Sequence, residues 1–240
     1  MDHDHAPLTS YEDLARRIDH LLVHPTLTEA QLRDGCLMAI AYDVASVTVR
    51  PCDLDIALRV IRDTRVALGS VVGFPHGTEN TATKLYEARD LIRRGAKSLD
   101  AVINVSKLIA RQWVYVETEL LQLAQLARDE GVILHVILET PVLPEEQKIV
   151  ACRIAKRAAP AGVATASGYA GPFSEADLEL LVRKCQGYLG VKAMPVDSLE
   201  ALLHCQSLGA TRFASRQTET ILEAWKKHLA AAEASHAPVS

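Results

Sequence analysis

The chain is predicted to fold as an α/β protein, a single (β/α)8 TIM barrel, on three observations. Short aliphatic and β-branched runs alternate with helix-period segments along nearly all of the 240 residues, making eight strand–helix units. The strand runs are apolar on both faces, as parallel strands covered by helices must be. No GxGxxG follows the first run, so the doubly wound sheet that shares this alternation lacks its phosphate-binding turn. The barrel is expected over residues 11–230. A flexible N-terminal tail at 1–10 and a flexible C-terminal tail at 231–240 flank it.

Each unit carries its own local signals. Ile18 to Val23 is the first strand run, stopped by Pro25, and Thr28 opens a helix as N-cap with Glu29 in its first turn. Leu32, Cys36, Ala39 and Ile40 line one face of that helix. Val44 to Arg50 is the second strand, and Pro51 begins a helix on which Leu54, Ala57, Leu58 and Ile61 share a face. Val66 to Val72 is the third, ending in the turn-rich Gly73-Phe74-Pro75-His76-Gly77. A helix from about Thr78 to Arg94 follows, closed by Gly95. Ser98 to Asn104 is the fourth strand, and one long helix is expected from Lys107 to Glu130, stopped by Gly131. Ile133 to Glu139 is the fifth, with Pro144-Glu145-Glu146 opening its helix, and Val163 to Ser167 the sixth, before a helix N-capped at Ser174. Tyr188 to Met194 is the seventh, with Asp197 or Ser198 capping Leu199 to Leu208. Thr211 to Ser215 is the eighth, before a last helix from Glu219 to about Ala232.

Composition narrows the function classes. A net charge of −4 with scattered basic residues leaves no electrostatic footprint for nucleic acid, and 5% aromatic content offers no base-stacking platform. No apolar run reaches transmembrane length, and Met1-Asp2-His3-Asp4-His5 is too polar for a signal peptide, so a cytoplasmic protein without membrane partner is expected. Five widely spaced cysteines without a CxxC read as buried free thiols in a reducing compartment, not as disulfides or a zinc ribbon. No HxH on a strand and no HExxH is present, and no metal or other cofactor is expected.

In a barrel of this kind the chemistry sits at the C-terminal ends of the strands and in the loops after them. Those places hold Asp19, His24, Arg50, His76, Asp100, Asn104, His135, Glu139, Lys192, Ser215 and Arg216. Asp100 and Lys192 are the most informative, because each interrupts an otherwise apolar strand and a buried charge must be paired or functional. A structural ion pair locking the barrel is the competing reading. His135, Ile137 and Glu139 share one face of the fifth strand, so an inward face there adds acid–base capacity.

These residues carry a resemblance. Ile18-Asp19-His20, Val71-Val72-Gly73-Phe74-Pro75-His76-Gly77, Leu99-Asp100-Ala101-Val102-Ile103-Asn104, Val136-Ile137-Leu138-Glu139-Thr140 and Gly190-Val191-Lys192-Ala193 resemble the deoxyribose-phosphate aldolase family, in order, over about residues 11–230. The resemblance implies a metal-free Schiff-base (β/α)8 aldolase that cleaves 2-deoxyribose 5-phosphate to glyceraldehyde 3-phosphate and acetaldehyde. Asp100 matches the family's proton-handling aspartate. Lys192 matches its second lysine, whose charge keeps the imine-forming amine neutral enough to attack. His135 and Glu139 complete the expected catalytic set. Thr165, Ser167, Gly168, Thr48, Asp19, Ser215 and Arg216 are the expected substrate-binding positions. The family is often dimeric, and Trp113, Val114 and Tyr115 offer a dimer patch unless they pack on a neighbouring helix.

The chain departs from the family where the chemistry is most demanding. The imine lysine belongs in a K-T-x-[ST]-G motif, but the sequence reads Ala164-Thr165-Ala166-Ser167-Gly168, and an alanine cannot form an imine. The glycine-rich phosphate loop after the seventh strand is Lys192-Ala193-Met194-Pro195-Val196-Asp197, with a residue that has no N–H and another that repels phosphate. The loop after the eighth is Ala214-Ser215-Arg216-Gln217-Thr218, while His135 and Thr48 stand for the usual lysine and cysteine. Intact neighbours of Ala164 fit a single replacement that disarms an aldolase; the altered loops and His135 fit natural divergence, and both can hold together. Lys192 as the imine residue, an imine-free acid–base lyase or isomerase using Asp100, His135, Glu139 and Lys192, and a non-catalytic binder of a small molecule or partner are the other readings.

Overall fold

Local capping sets the frame. The computed structural model describes residues 7–236, so His3, His5 and the outer parts of both expected tails lie outside the described residues. Ser10 and Asp13 form a capping box that starts a one-turn helix, α1 (Tyr11–Ala15), which periodicity did not announce because five residues carry no repeat. Its signature was present as Ser10-x-x-Asp13. Thr28 caps α2 (Glu29–Ala41), Asn80 caps α4 (Thr81–Arg93), Ser174 caps α8 (Glu175–Cys185) and Ser198 caps α9 (Leu199–Ser207). A 3-10 turn at Pro51–Asp53 leads into α3 (Leu54–Ile61), and Pro144 precedes α7 (Glu145–Ala158).

One expected element is two. The segment read as a single helix from Lys107 to Glu130 forms α5 (Val105–Ile109) and α6 (Trp113–Asp129). The break is Arg111, held in the left-handed region at φ 58°, with Gln112 non-helical after it. Neither residue is a glycine or proline, so nothing in the local composition marks the bend. The last helix, α10 (Thr218–His236), runs beyond the expected end at Ala232.

The strands are β1 (Ile18–Leu22), β2 (Ser46–Val49), β3 (Ala67–Val72), β4 (Ser98–Val102), β5 (Ile133–Ile137), β6 (Gly162–Ala164), β7 (Gly190–Ala193) and β8 (Arg212–Ser215). All pair in parallel, each with the next, and β8 closes on β1, giving a closed (β/α)8 barrel. The large core lies between strands and helices, and a second, smaller apolar cluster fills the barrel's interior. The five cysteines are free; four are buried and Cys52, on the turn after β2, is exposed, contrary to the expectation for it. Among the described residues no helix is long and apolar enough to cross a membrane.

Candidate active site

Side-chain alternation builds the interior in two steps. The inward positions nearer the strand starts are Asp19, Ser46, Gly69, Asp100, His135, Gly162, Lys192 and Arg212. Two residues further along each strand come Leu21, Thr48, Val71, Val102, Ile137, Ala164, Met194 and Ala214. The first set is polar or glycine; the second is apolar except for Thr48. Glycines make room in the first: a Cβ on Gly69 would come within 2.6 Å of Ser98 Oγ, and one on Gly162 within 2.7 Å of the Gly190 carbonyl oxygen.

The charged set forms one network. Lys192 Nζ donates to Asp100 Oδ1 at 2.6 Å and lies 2.9 Å from Asp19 Oδ2. Arg212 grips Asp19 with two guanidinium hydrogen bonds, at 2.5 and 2.9 Å, and Ser46 Oγ donates to the same carboxylate at 2.5 Å. His135 Nδ1 lies 3.6 Å from Asp100 Oδ1, too far for a hydrogen bond, and has no other partner. Burial acts against ionisation of Asp19, but the Arg212 and Lys192 charges overrule it and hold that carboxyl well below the usual range. Asp100 is pushed up by burial, with the Lys192 charge pulling against the rise. Burial, then the charges of Lys192 and Arg212, push His135 well below its ordinary value, so its ring is neutral at pH 7. Arg212 opens β8, outside the C-terminal halves of strands where a barrel sequence points to chemistry.

Above this network lies a closed lid. None of the eight residues in the second set is more than 4% exposed. Phe74 packs on them from the loop after β3, and its ring meets Tyr169 edge to face at 5.5 Å. Tyr169 Oη donates to the Val23 carbonyl at 3.4 Å, joining the loops after β1 and β6. Ala164 is fully buried within the cluster and pairs in register with Lys192 on one side and Ile137 on the other.

The other candidates sit around the rim. Glu139, in the left-handed region at φ 54°, accepts from the Ser167 N–H through Oε1 at 2.8 Å while its buried Oε2 has no partner; burial raises its pKa. Ser167 Oγ accepts from Tyr169 N at 3.1 Å, and Gly168 takes φ 84° beside the ring of Pro195. Thr165 Oγ1 donates to the Met194 carbonyl and accepts its N–H, tying β6 to β7. Ser215 is buried and its Oγ accepts from Gln217 N, whereas Arg216 is exposed. Arg50 binds Asp53 and the carbonyls of His24, Pro25 and Leu27, and Asn104 caps α5; both hold loops in place. His24 and His76 are exposed. Tyr115 packs on α4, accepting from Thr81 N at 3.3 Å, while Val114 and Trp113 remain exposed. Among the described residues no group of three or more His, Cys, Asp or Glu is placed to hold a metal ion.

A barrel with this register and these charges matches known proteins over most of its length. No family model matches the chain. The deoxyribose-phosphate aldolase of Rhodopirellula baltica is 38% identical over 220 residues, 90% of this chain and 91% of that protein. That of Caldanaerobacter subterraneus subsp. tengcongensis is 34% identical over 221 residues, 91% and 96% of the two chains. The chain belongs to the deoxyribose-phosphate aldolase family. Among solved structures, the enzyme of Aeropyrum pernix, described as tetrameric, superposes with a TM-score of 0.86 at 27% identity, covering 94% of this chain and 96% of that one. A protein described as "QR15, an Aldolase" gives 0.84 at 27% identity, covering 91% and 98%. By family, then, the chain is an aldolase-like carbon–carbon lyase.

Proposed function

We propose that this chain serves aldol chemistry on a small aldehyde-derived substrate, and that as it stands it does not cleave 2-deoxyribose 5-phosphate through an imine on β6. The observation that supports this reading is Ala164, a buried methyl group in register beside Lys192, at the position that the resemblance assigns to the family's imine lysine. The remaining amine supports proton handling better than attack. Lys192 lies against two carboxylates, Asp100 and Asp19, and an ammonium so held has no lone pair to offer. In this reading Asp100 moves protons, Lys192 supplies the positive charge, and His135 and Glu139 complete the acid–base set. Thr48, Asp19, Thr165, Ser167, Gly168, Ser215 and Arg216 bound the substrate. A cytoplasmic homo-oligomer, a dimer through α6, fits the exposed Trp113 and Val114.

A second reading has its own support. Lys192 is a strand neighbour of position 164 and can take over the imine if Asp100 accepts its proton, which the raised pKa of Asp100 favours. Borohydride reduction after incubation with acetaldehyde, with peptide mass spectrometry of the adducts, separates the two. The first reading expects no adduct on the chain as it stands and one at position 164 in Ala164→Lys. An adduct on Lys192 that disappears in Lys192→Ala overturns it in favour of the second. No adduct on any of the three leaves the imine-free lyase or the non-catalytic binder.

A further inference from the structure

We infer that Phe74 and Tyr169 form a gate that must part before any ligand reaches Lys192. Glu87, on the outer helix α4, is the positioning residue that sets how readily it parts. The inference goes beyond the aldol reading, because it holds for any chemistry at Lys192, with or without an imine.

The network is sealed. The Lys192 and Asp100 side chains are 2% and 3% exposed, and the layer above them is buried throughout. A ligand that touches either group therefore needs a movement of the fold. Phe74 packs on that layer, is partly exposed and sits on a loop, so it can swing away without breaking a strand pair. Its partner Tyr169 is 42% exposed and reaches the Val23 carbonyl through one long hydrogen bond of 3.4 Å. Neither the ring contact nor that bond is strong enough to hold the mouth shut by itself.

What aims Phe74 is the residue before it. Gly73 takes φ 61°, and a Cβ there would come within 2.8 Å of Lys84 Cε, so the chain leaves β3 pressed against α4. The Gly73 carbonyl accepts from Gly77 N–H at 2.7 Å, closing the turn, and the Gly73 N–H donates to Glu87 Oε2 at 2.8 Å. At the far end Gly77 is fixed by packing, since a Cβ on it would come within 2.2 Å of the Ile103 carbonyl oxygen. One end of the turn is thus wedged in backbone, and the other is held by a side chain. Glu87 follows Lys84 by three residues on the same face of α4. Burial raises its pKa, as does the negative charge of Glu79; the Gly73 N–H and the Lys84 ammonium pull the other way. A carboxylate that accepts from an N–H in such a place holds it more strongly than a neutral acceptor does, and removing it frees the Gly73 end.

The test reads the opening directly. Ala164→Cys places a thiol in the sealed layer, and its alkylation by iodoacetamide is followed by peptide mass spectrometry. In the same sample buried Cys36 and Cys152, in the core between strands and helices, report opening of the whole fold, and exposed Cys52 reports the unhindered rate. Position 164 is expected to label at least about tenfold more slowly than Cys52. Phe74→Ala should raise the rate at 164 by roughly tenfold or more, and Glu87→Ala by about tenfold, the loss of one hydrogen bond to a charged acceptor. Glu87→Gln keeps an acceptor oxygen and should recover most of that change, with Cys36 and Cys152 unmoved throughout. Labelling at 164 as fast as at Cys52 from the outset, or unaltered by Phe74→Ala, overturns the gate. A rate that does not rise in Glu87→Ala, rises only in step with Cys36, or is not restored by Glu87→Gln overturns the positioning role. Ala214→Cys, in the same layer, serves as the reporter if Ala164→Cys does not fold. None of these outcomes depends on an adduct at Lys192, so the gate and the aldol reading stand or fall separately.

Discussion

Among the described residues, one charge cluster lies inside the barrel and another between the helices, and they differ in how many partners a charge has. Inside the barrel, Arg212, Asp19, Lys192 and Asp100 alternate in sign, with neutral His135 at the end. Between the helices, Lys84 of α4 and Glu119 of α6 meet at 2.7 Å with neither side chain exposed, and Lys84 Nζ also donates to the Val102 carbonyl at 2.8 Å. In the first cluster Lys192 meets two carboxylates and Asp19 meets two cations, and the cluster adjoins the candidate site. A carboxyl pushed up by burial, Asp100 in one and Glu119 in the other, is common to both. The second has one cation for one anion, with Thr81 Oγ1 donating to the other Glu119 oxygen at 3.3 Å, and it ties α4, α6 and the end of β4 together. Shared partners let the barrel network rearrange when one charge is lost; a bare pair serves only as a tie between elements.

The sharpest way to break that contrast is to remove one member of the pair. Glu119→Gln strands the Lys84 ammonium in the interior, and a loss of about 3–5 kcal/mol in chemical denaturation is expected. The double change Lys84→Met with Glu119→Leu should recover most of it, because what costs is the unpaired charge. A single-mutant loss below about 1 kcal/mol would show that water reaches the pair.

Acid is expected to act next most strongly. His20, buried and hydrogen-bonded with Thr218 Oγ1 at 2.9 Å, is pushed down to about 4 from 6.5 by burial, with a hydrogen bond to the Ser215 backbone pulling the other way. Between those values the unfolded chain binds more protons than the fold, so stability is lost as pH falls from 6.5 towards 4. The loss is about 3 kcal/mol when complete. His135 acts in the same direction. Denaturation free energies at pH 7 and 4.5 measure the fall, and His20→Gln, which does not titrate there, should flatten it. An unchanged slope in that variant would transfer the effect to His135.

The smallest effect probes redundancy. In Lys192→Met, Arg212 still holds Asp19, and Asp100, already pushed up, takes a proton. The expected cost is about 1–2 kcal/mol, well under that of Glu119→Gln. Removing the Lys192 charge should also raise the pKa of His135, which its imidazole NMR titration reads directly. A loss as large as that of the helix pair, with His135 unmoved, would make the barrel network another tie.

How these clusters were legible, or not, follows from their elements. Asp100 and Lys192 were visible because a strand buried on both faces has no solvated side on which to hide a charge. Lys84 and Glu119 were invisible because α4 and α6 are amphipathic, and charges at helical spacing ordinarily face water. Arg212 was missed for its place at a strand start. The break at Arg111 was missed because its left-handed backbone is imposed by packing on a residue with no turn propensity.

By itself, then, the sequence determined the eight-unit alternation, the parallel barrel, the family and the alanine at 164. Each of these is written in local periodicity or in a contiguous motif. Only the tertiary structure decided which charges share a partner, that Ala164 stands in register beside Lys192, and that an apolar layer covers them. Those are relations between residues far apart in the chain, set by barrel stagger and by which side chains the closed strands turn inward. No window of sequence contains them.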